Sequence, residues 1–378
     1  MSVVNVLVNK YVVKIPKDEP SFIQYLDFAM TPEGAPTRIS SKPLQYIILL
    51  DKSGSMREKM RQRDGGAIQK LDRAKEALIE LLGVLPENSK LTLLTFGGVV
   101  TRVFDNLTYR SSKKHEFEEE INRIEVSGDT PMMKAFQEAI RTAEPYSGEY
   151  IPRILLVTDG HPTDNRNVNS YKKRAENLLE SGVAVDTIGV GDKHHVHLLT
   201  TISGSTRGKY VYVEDNILDL PVVIKDLAQI KTAVLVTPVM ELQMQNLEDQ
   251  VVEAYQYEPT HIPYIVRDDP PNSVVYLRAL EPGKVCRFIV KFLCQNPSVG
   301  QEVHDYNMCN VVIKEQEKTI FNQQVTIDFV DGPGLTNPQI QKIAKKGREW
   351  VEAYKQATVK GDPSLTQRYQ GEETKRLK

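Results

Sequence analysis

Tyr46-Ile47-Ile48-Leu49-Leu50-Asp51-Lys52-Ser53-Gly54-Ser55-Met56 decides the reading of this chain. Its first five residues are an unbroken apolar run, the pattern of a strand buried on both faces. The strand is expected to deliver one carboxylate, Asp51, and two hydroxyls, Ser53 and Ser55, at alternate positions into a tight glycine-containing turn. Oxygen donors alone suit a hard divalent cation rather than zinc or copper. The carboxyl end of a buried strand is also where open α/β sheets bind their ligands.

Two later segments supply partners. Gly128-Asp129-Thr130-Pro131-Met132 precedes a helical segment and offers the Thr130 hydroxyl. Ile154-Leu155-Leu156-Val157-Thr158-Asp159-Gly160 is a second apolar strand that ends in a carboxylate. Asp51, Ser53, Ser55, Thr130 and Asp159 together form a complete oxygen set. With only two carboxylates, a divalent ion would remain coordinatively unsaturated. Waters would fill the shell, and an incoming carboxylate would displace one of them.

On these residues the chain resembles the von Willebrand factor A-type domains with a metal-ion-dependent adhesion site. The resemblance covers roughly residues 40 to 232, including Val183 to Asp192 (VAVDTIGVGD) and the strand Lys209-Tyr210-Val211-Tyr212-Val213. It implies a doubly wound, mainly parallel, Rossmann-like α/β sheet. It also implies that Asp51, Ser53, Ser55, Thr130 and Asp159 hold an ion, magnesium first, with manganese or calcium as alternatives.

The chain has 378 residues, more than one core usually accommodates, so two domains are expected. A formal net charge of −2 gives no global field toward nucleic acid or a membrane surface. Cys286, Cys294 and Cys309 are odd in number, lie in the second half and have no short metal spacing. They read as reduced thiols in a β-rich core rather than as disulfides or a zinc site. The first ten residues lack a basic stretch followed by a long apolar one, and no run is long enough to span a bilayer, so a cytoplasmic location is expected.

Four regions follow. Residues 1–40 hold alternating strand patterns (Val4-Val6-Val8, Tyr11-Val13-Ile15, Ile23-Tyr25-Asp27) and then a polar linker, Thr31 to Pro43. Residues 41–232 form the α/β domain, with a helix at about Gln69 to Leu82 and others at 113–124, 131–144, 168–181, 195–203 and 218–231. A short hairpin joins Leu91–Phe96 to Thr101–Phe104 across Gly97-Gly98. Residues 233–331 read as a β-sandwich. Its strands are Ala233–Val236, Val251–Tyr257, Val274–Leu277, Val285–Leu293, Asn310–Ile313 and Gln324–Phe329, punctuated by prolines and glycines. The N-terminal strands lack partners in the α/β domain and are expected to join this sandwich, which makes the α/β domain an insertion.

This layout is similar to bacterial proteins labelled as homologues of calcium-activated chloride channels; the channel label is not carried over, since nothing here spans a membrane. Residues 332–378 form a helical, basic tail. Asn337 and Pro338 mark its start, and an apolar stripe runs from Ile340 to Tyr354. Residues 342–378 hold ten basic side chains against five acidic ones. Packing on the sandwich is favoured over a docking helix, and Gln370 to Lys378 is expected to be disordered.

Three decoys are set aside. Gly204 to Lys209 has one residue too few for a phosphate-binding loop and is followed by Tyr210 where a Ser or Thr is needed. His194, His195 and His197 read as a solvated loop rather than a metal cluster. Asn106-Leu107-Thr108 is a glycosylation triplet without relevance in a cytoplasmic protein. Lys52 and Asp129 are read as flanking the ion without holding it.

The expected function is a metal-dependent protein–protein interaction module or scaffold, not an enzyme, that takes a Glu or Asp from another protein. The resemblance points to a bacterial intracellular stress, defence or assembly system, with an AAA+ ATPase or a kinase and phosphatase pair as partner. The alternatives are a magnesium-dependent phosphoester hydrolase, for which His161 is the one nearby base, and a self-assembling structural subunit.

Overall fold

The computed structural model describes residues 4–9, 14–32, 43–61, 66–143, 149–213, 235, 237–258, 262–269, 271–280, 283–332, 338–363 and 366. The chain divides into two units: Arg38–Thr232 with Ala357–Gln367, and Met1–Thr37 with Ala233–Gln356 and Arg368–Lys378. Residues 33–42 of the expected linker, Tyr11 and Val13 of the second expected strand, the helix at 218–231, the Asn337 cap and the tail beyond Gln370 lie outside the described residues, while Thr31 and Pro32 belong to a strand rather than to the linker. Of the expected strand Ala233–Val236 only Leu235 is described, bridged to Leu280.

The chain opens with strands β1 (Val4–Asn9), β2 (Lys14–Pro16) and β3 (Ser21–Pro32). The α/β unit follows as β4 (Leu44–Asp51), β5 (Lys59–Arg61), β6 (Ala67–Gln69), α1 (Lys70–Leu82), β7 (Lys90–Gly97), β8 (Val99–Thr108), α2 (Lys114–Asn122), α3 (Met132–Thr142), β9 (Ile151–Thr158), α4 (Val168–Glu180), β10 (Ala184–Val190), α5 (Val196–Gly204) and β11 (Tyr210–Val213). The chain then runs through β12 (Pro238–Met244), β13 (Gln250–Glu258), β14 (Ile262–Pro263), β15 (Ile265–Asp269), β16 (Asn272–Tyr276), β17 (Cys286–Gln295), β18 (Val303–Glu315), β19 (Lys318–Val330) and the helix α6 (Pro338–Lys360).

The α/β sheet has the order β11-β10-β9-β4-β7-β8. β4 sits centrally and pairs in parallel with β9 and β7, while β8 returns antiparallel at the edge. Every residue of β4 and of β9 is buried, as a parallel sheet covered on both faces requires. Helices supply the covering faces: Leu71, Ala74, Leu78, Leu81 and Leu82 from α1, and Met132, Met133, Ala135, Phe136 and Ala139 from α3. The arrangement is the Rossmann-like α/β fold that the periodicity predicts. One local element lies after Arg57, where the sequence shows no strand pattern. Lys59↔Gln69 to Arg61↔Ala67 pair as a small hairpin. Strands of three residues are too short to show the period-2 alternation that would reveal them.

In the other unit, strands lie in two sheets, β1-β3-β17-β13-β14 and β15-β16-β12-β18-β19-β2. Leu26, Phe28, Phe288, Val290 and Phe292 of the first share one core with Met240, Leu242, Val275, Val311 and Ile327 of the second. β3 pairs with β17 over ten rungs, Ser21↔Gln295 to Met30↔Cys286, so one of the chain's first strands is paired by a strand from its last third. Cys286, Cys294 and Cys309 are buried and free. α6 lays Ile340 and Ile343 against Tyr25, Tyr255, Tyr257 and Ile289. Gly347 makes that approach possible, because a Cβ there would stand 2.1 Å from the Tyr255 ring. Among the described residues no helix is long and apolar enough to cross a membrane.

Candidate metal centre

Parallel register brings the two carboxylates together. Leu50 pairs with Val157, so Asp51 ends β4 beside the end of β9, and Asp159 is the residue that follows β9. Both aspartates are almost fully buried. The Asp51 Oδ1 accepts the Ser53 backbone N–H at 2.8 Å, and its Oδ2 accepts the Thr158 hydroxyl at 2.5 Å. Burial pushes the Asp51 carboxyl up to about 6; the Thr158 and Ser53 hydrogen bonds oppose that rise and the charge of Asp159 adds to it.

The hydroxyls follow from the turn. Ser53 Oγ lies 3.2 Å from Ser55 Oγ, and Ser55 Oγ donates to Asp159 Oδ1 at 2.6 Å. Thr130 arrives from the loop before α3. Its position is best seen from Gly160: an ideal Cβ there would stand 3.5 Å from Thr130 Oγ1, 3.7 Å from Ser55 Oγ and 4.0 Å from Asp51 Oδ2. Oxygens from the Asp51–Ser55 turn and from the Thr130 loop therefore lie within 4.0 Å of one point beside Gly160. Among the described residues no group of three or more His, Cys, Asp or Glu side chains could hold a metal. The donor set here is different in kind: two carboxylates and three hydroxyls, all oxygen, which fits a hard divalent ion completed by water.

The loops that carry these groups are zipped by backbone hydrogen bonds. Gly54 N–H donates to Gly128 O at 3.0 Å, Ser127 N–H to Lys52 O at 2.7 Å and Gly98 N–H to Asp129 O at 2.9 Å. Gly128 has φ +66°, and a Cβ on it would come within 2.5 Å of the Gly98 nitrogen. Thr163 N–H donates to Thr130 O at 2.9 Å. Asp164 then caps α3, accepting from Met133 N–H at 3.1 Å and Lys134 N–H at 2.9 Å. The Asp159 and Thr130 loops are thus fixed to each other. Lys52 and Asp129 contribute main chain to this scaffold, and the Asp129 side chain is exposed.

A residue the motifs do not announce completes the site. Lys70, the first residue of α1, is 3% exposed and reaches Asp159 Oδ2 at 3.0 Å and Glu58 Oε2 at 2.9 Å. Glu58 in turn takes Lys193 at 2.9 Å. Burial opposes the Lys70 charge, but Glu58 and Asp159 outweigh it and hold the ammonium above its ordinary range. The signal is present in the sequence as periodicity. Lys70 shares the stripe of Ala74, Ala77 and Leu81 at helical spacing, a buried-face position for a charge.

The decoys resolve differently from one another. His194 is not in a solvated loop: it is 3% exposed. Its Nδ1 lies 2.7 Å from Gly191 O and its Nε2 2.7 Å from the Tyr210 hydroxyl. A carbonyl only accepts, so Nδ1 carries the proton and Nε2 receives the tyrosine O–H. Polar composition hid this because burial of a histidine depends on tertiary partners. His195 caps α5, accepting from Leu198 N–H at 3.4 Å. In the Gly204–Lys209 stretch, a Cβ on Gly208 would fall 1.8 Å from Val185 O, so that glycine serves close packing.

Residues 47–226 match the von Willebrand factor type A domain family. A von Willebrand factor A domain-containing protein of Dictyostelium discoideum is 26% identical over 174 residues, 46% of this chain and 17% of that protein. The chain therefore spans about a fifth or less of such curated relatives. Two solved structures share the fold over nearly the whole chain. The von Willebrand factor type A protein from Catenulispora acidiphila has a TM-score of 0.71 at 14% identity, covering 96% of this chain and 83% of that one. The ArnB paralog VWA2 from Sulfolobus acidocaldarius has a TM-score of 0.62 at 13% identity, covering 97% and 87%. Over residues 47–226 this chain is thus similar to von Willebrand factor type A domains.

Proposed function

We propose that Asp51, Ser53, Ser55, Thr130 and Asp159 hold one divalent cation, magnesium first, and that the ion takes a Glu or Asp side chain from another protein. The observation that carries this reading is the ring of Asp51, Ser55 and Thr130 oxygens within 4.0 Å of a single point beside Gly160. Domains of this type commonly mediate metal-dependent protein interactions. The ion would supply positive charge at an open coordination position. Lys70 strengthens that effect. Its ammonium is bound to Asp159, so it offsets one of the two carboxylate charges and leaves more of the ion's charge for an external carboxylate. Ser55 donates to Asp159, which turns the serine's lone pairs outward as a neutral ligand.

We read the chain as an interaction module and not an enzyme. No histidine or cysteine stands in the Asp51–Ser55 or Gly128–Met132 motifs. His161 is exposed and its ring rests on His195, with centroids 4.8 Å apart. We further read the α/β domain as inserted in the β-sandwich, a layout similar to the bacterial homologues of calcium-activated chloride channels. An intracellular bacterial setting with an AAA+ ATPase or a kinase and phosphatase pair is the proposed context.

Titration calorimetry with magnesium and manganese tests the site. Wild type is expected to bind one ion, and Asp51→Asn none, with unchanged circular dichroism. Equal binding by both proteins overturns the ligand assignment. Affinity capture with magnesium and with EDTA then tests the carboxylate role: a partner lost in EDTA, and lost again when its acidic residue is mutated, supports it.

A further inference from the structure

The outward face of the sheet containing β12, β18 and β19 carries a row of carboxamides. Register aligns Asn272 with Gln243, Gln243 with Asn310, and Asn310 with Gln324 across four strands. Gln243, Asn322 and Gln324 are exposed, while Leu242, Met244 and Val325 between them point into the core. Gln243, Asn310, Asn322, Gln324, Asn307 and Gln245 line a concavity of about 590 Å³. Every residue of that lining except Met244 is Asn or Gln. The volume falls within the range of roughly 300–1,000 Å³ usual for small-molecule sites. Strands disfavour Asn and prefer β-branched and aromatic residues, so strand stability does not account for this composition.

The chemistry of the lining restricts its ligand. Each carboxamide offers two donors and one acceptor oxygen, and none carries charge. An anion would find no counter-charge. An apolar molecule would strip the amides of water without replacing its hydrogen bonds. A polyhydroxylated neutral molecule matches both needs, since each hydroxyl donates and accepts. The amides are also not satisfied among themselves: Asn310 Nδ2 donates to Gln243 Oε1 at 3.3 Å, and the Asn307 Oδ1 is buried without a hydrogen-bond partner. We propose that this face binds a neutral oligosaccharide.

The test uses the full chain on an array of neutral glucans, mannans, xylans and galactans, with hits measured by calorimetry in EDTA. Wild type is expected to bind at least one class in the presence of the chelator. The double variant Gln243→Ala/Gln324→Ala is expected to lose at least tenfold in affinity with an unchanged melting temperature, and Asn310→Ala to lose affinity by itself. No binding to any class, or binding unchanged in both variants, overturns the proposal. Sedimentation is run alongside: self-association that the double variant abolishes assigns the amides to contact between copies instead.

Discussion

Around Asp51 the polar groups are tied down: Thr158 and Ser53 hold Asp51, Ser55 and Lys70 hold Asp159, and the backbone zips the loops beneath. On the amide face of the sheet containing β12, β18 and β19, Gln243, Asn322 and Gln324 reach into solvent, and an amide–amide bond joins Asn310 to Gln243. The difference follows from charge. A buried carboxylate loses far more hydration than an amide, so it persists only where donors are prearranged. A neutral amide at a surface needs no such framework. Substitutions should therefore damage the first region and leave the stability of the second nearly unchanged.

The largest effect is expected deep in the α/β sheet. Asp186 accepts Arg153 through its Oδ2, with the two side chains 0% and 6% exposed, and takes Lys209 N–H at 2.8 Å. Asp186→Ala leaves a buried guanidinium unpaired, at a cost of about 3–5 kcal/mol in denaturant unfolding of that unit. A loss under about 1 kcal/mol would break the rule that its buried charges are prearranged.

Next comes a pH dependence. Burial pushes His194 from the ordinary 6.5 down to about 4. The unfolded chain therefore binds this proton between those values while the folded one does not. Stability is full above pH 6.5 and falls as pH drops toward about 4, by about 3 kcal/mol in all. His194→Gln should flatten that slope in a melting series.

Lys70→Met sharpens the comparison most directly. It frees Asp159 of its cation and is expected to cost about 2 kcal/mol without divalent ion. Saturating magnesium should restore most of that loss, because the ion replaces the missing positive charge. An equal loss with and without magnesium would make Lys70 part of the scaffold alone. At the small end, Gln243→Ala/Gln324→Ala should shift stability by under about 0.5 kcal/mol.

Much of the α/β fold is legible in the sequence because its signals are contiguous. Tyr46–Leu50 and Ile154–Val157 are unbroken apolar runs, and Asp51, Ser53, Ser55, Thr130 and Asp159 each stand in a recognisable phrase. What is hidden depends on contacts between segments. Gly128 reads as an ordinary turn glycine until the Gly98 backbone is placed 2.5 Å from its absent Cβ. Asp164 is a polar residue without a visible partner until the first turn of α3 is seen donating to it. β18 and β19 read short because only the apolar run within Asn310–Ile313 and the alternation of Gln324–Phe329 stand out, whereas pairing extends both strands to thirteen residues. The amide row is invisible along the chain, since its members come from four strands.

The pairing of β3 with β17 has a consequence for the order of assembly on the ribosome. The described strands of the α/β sheet lie within residues 44–213, one continuous stretch, and can close as soon as that stretch has emerged. Ser21–Met30 must wait for Cys286–Gln295, and β2 for Val330. The segment made first is thus among the last to find its place, leaving the edges of β1 and β3 open through most of synthesis.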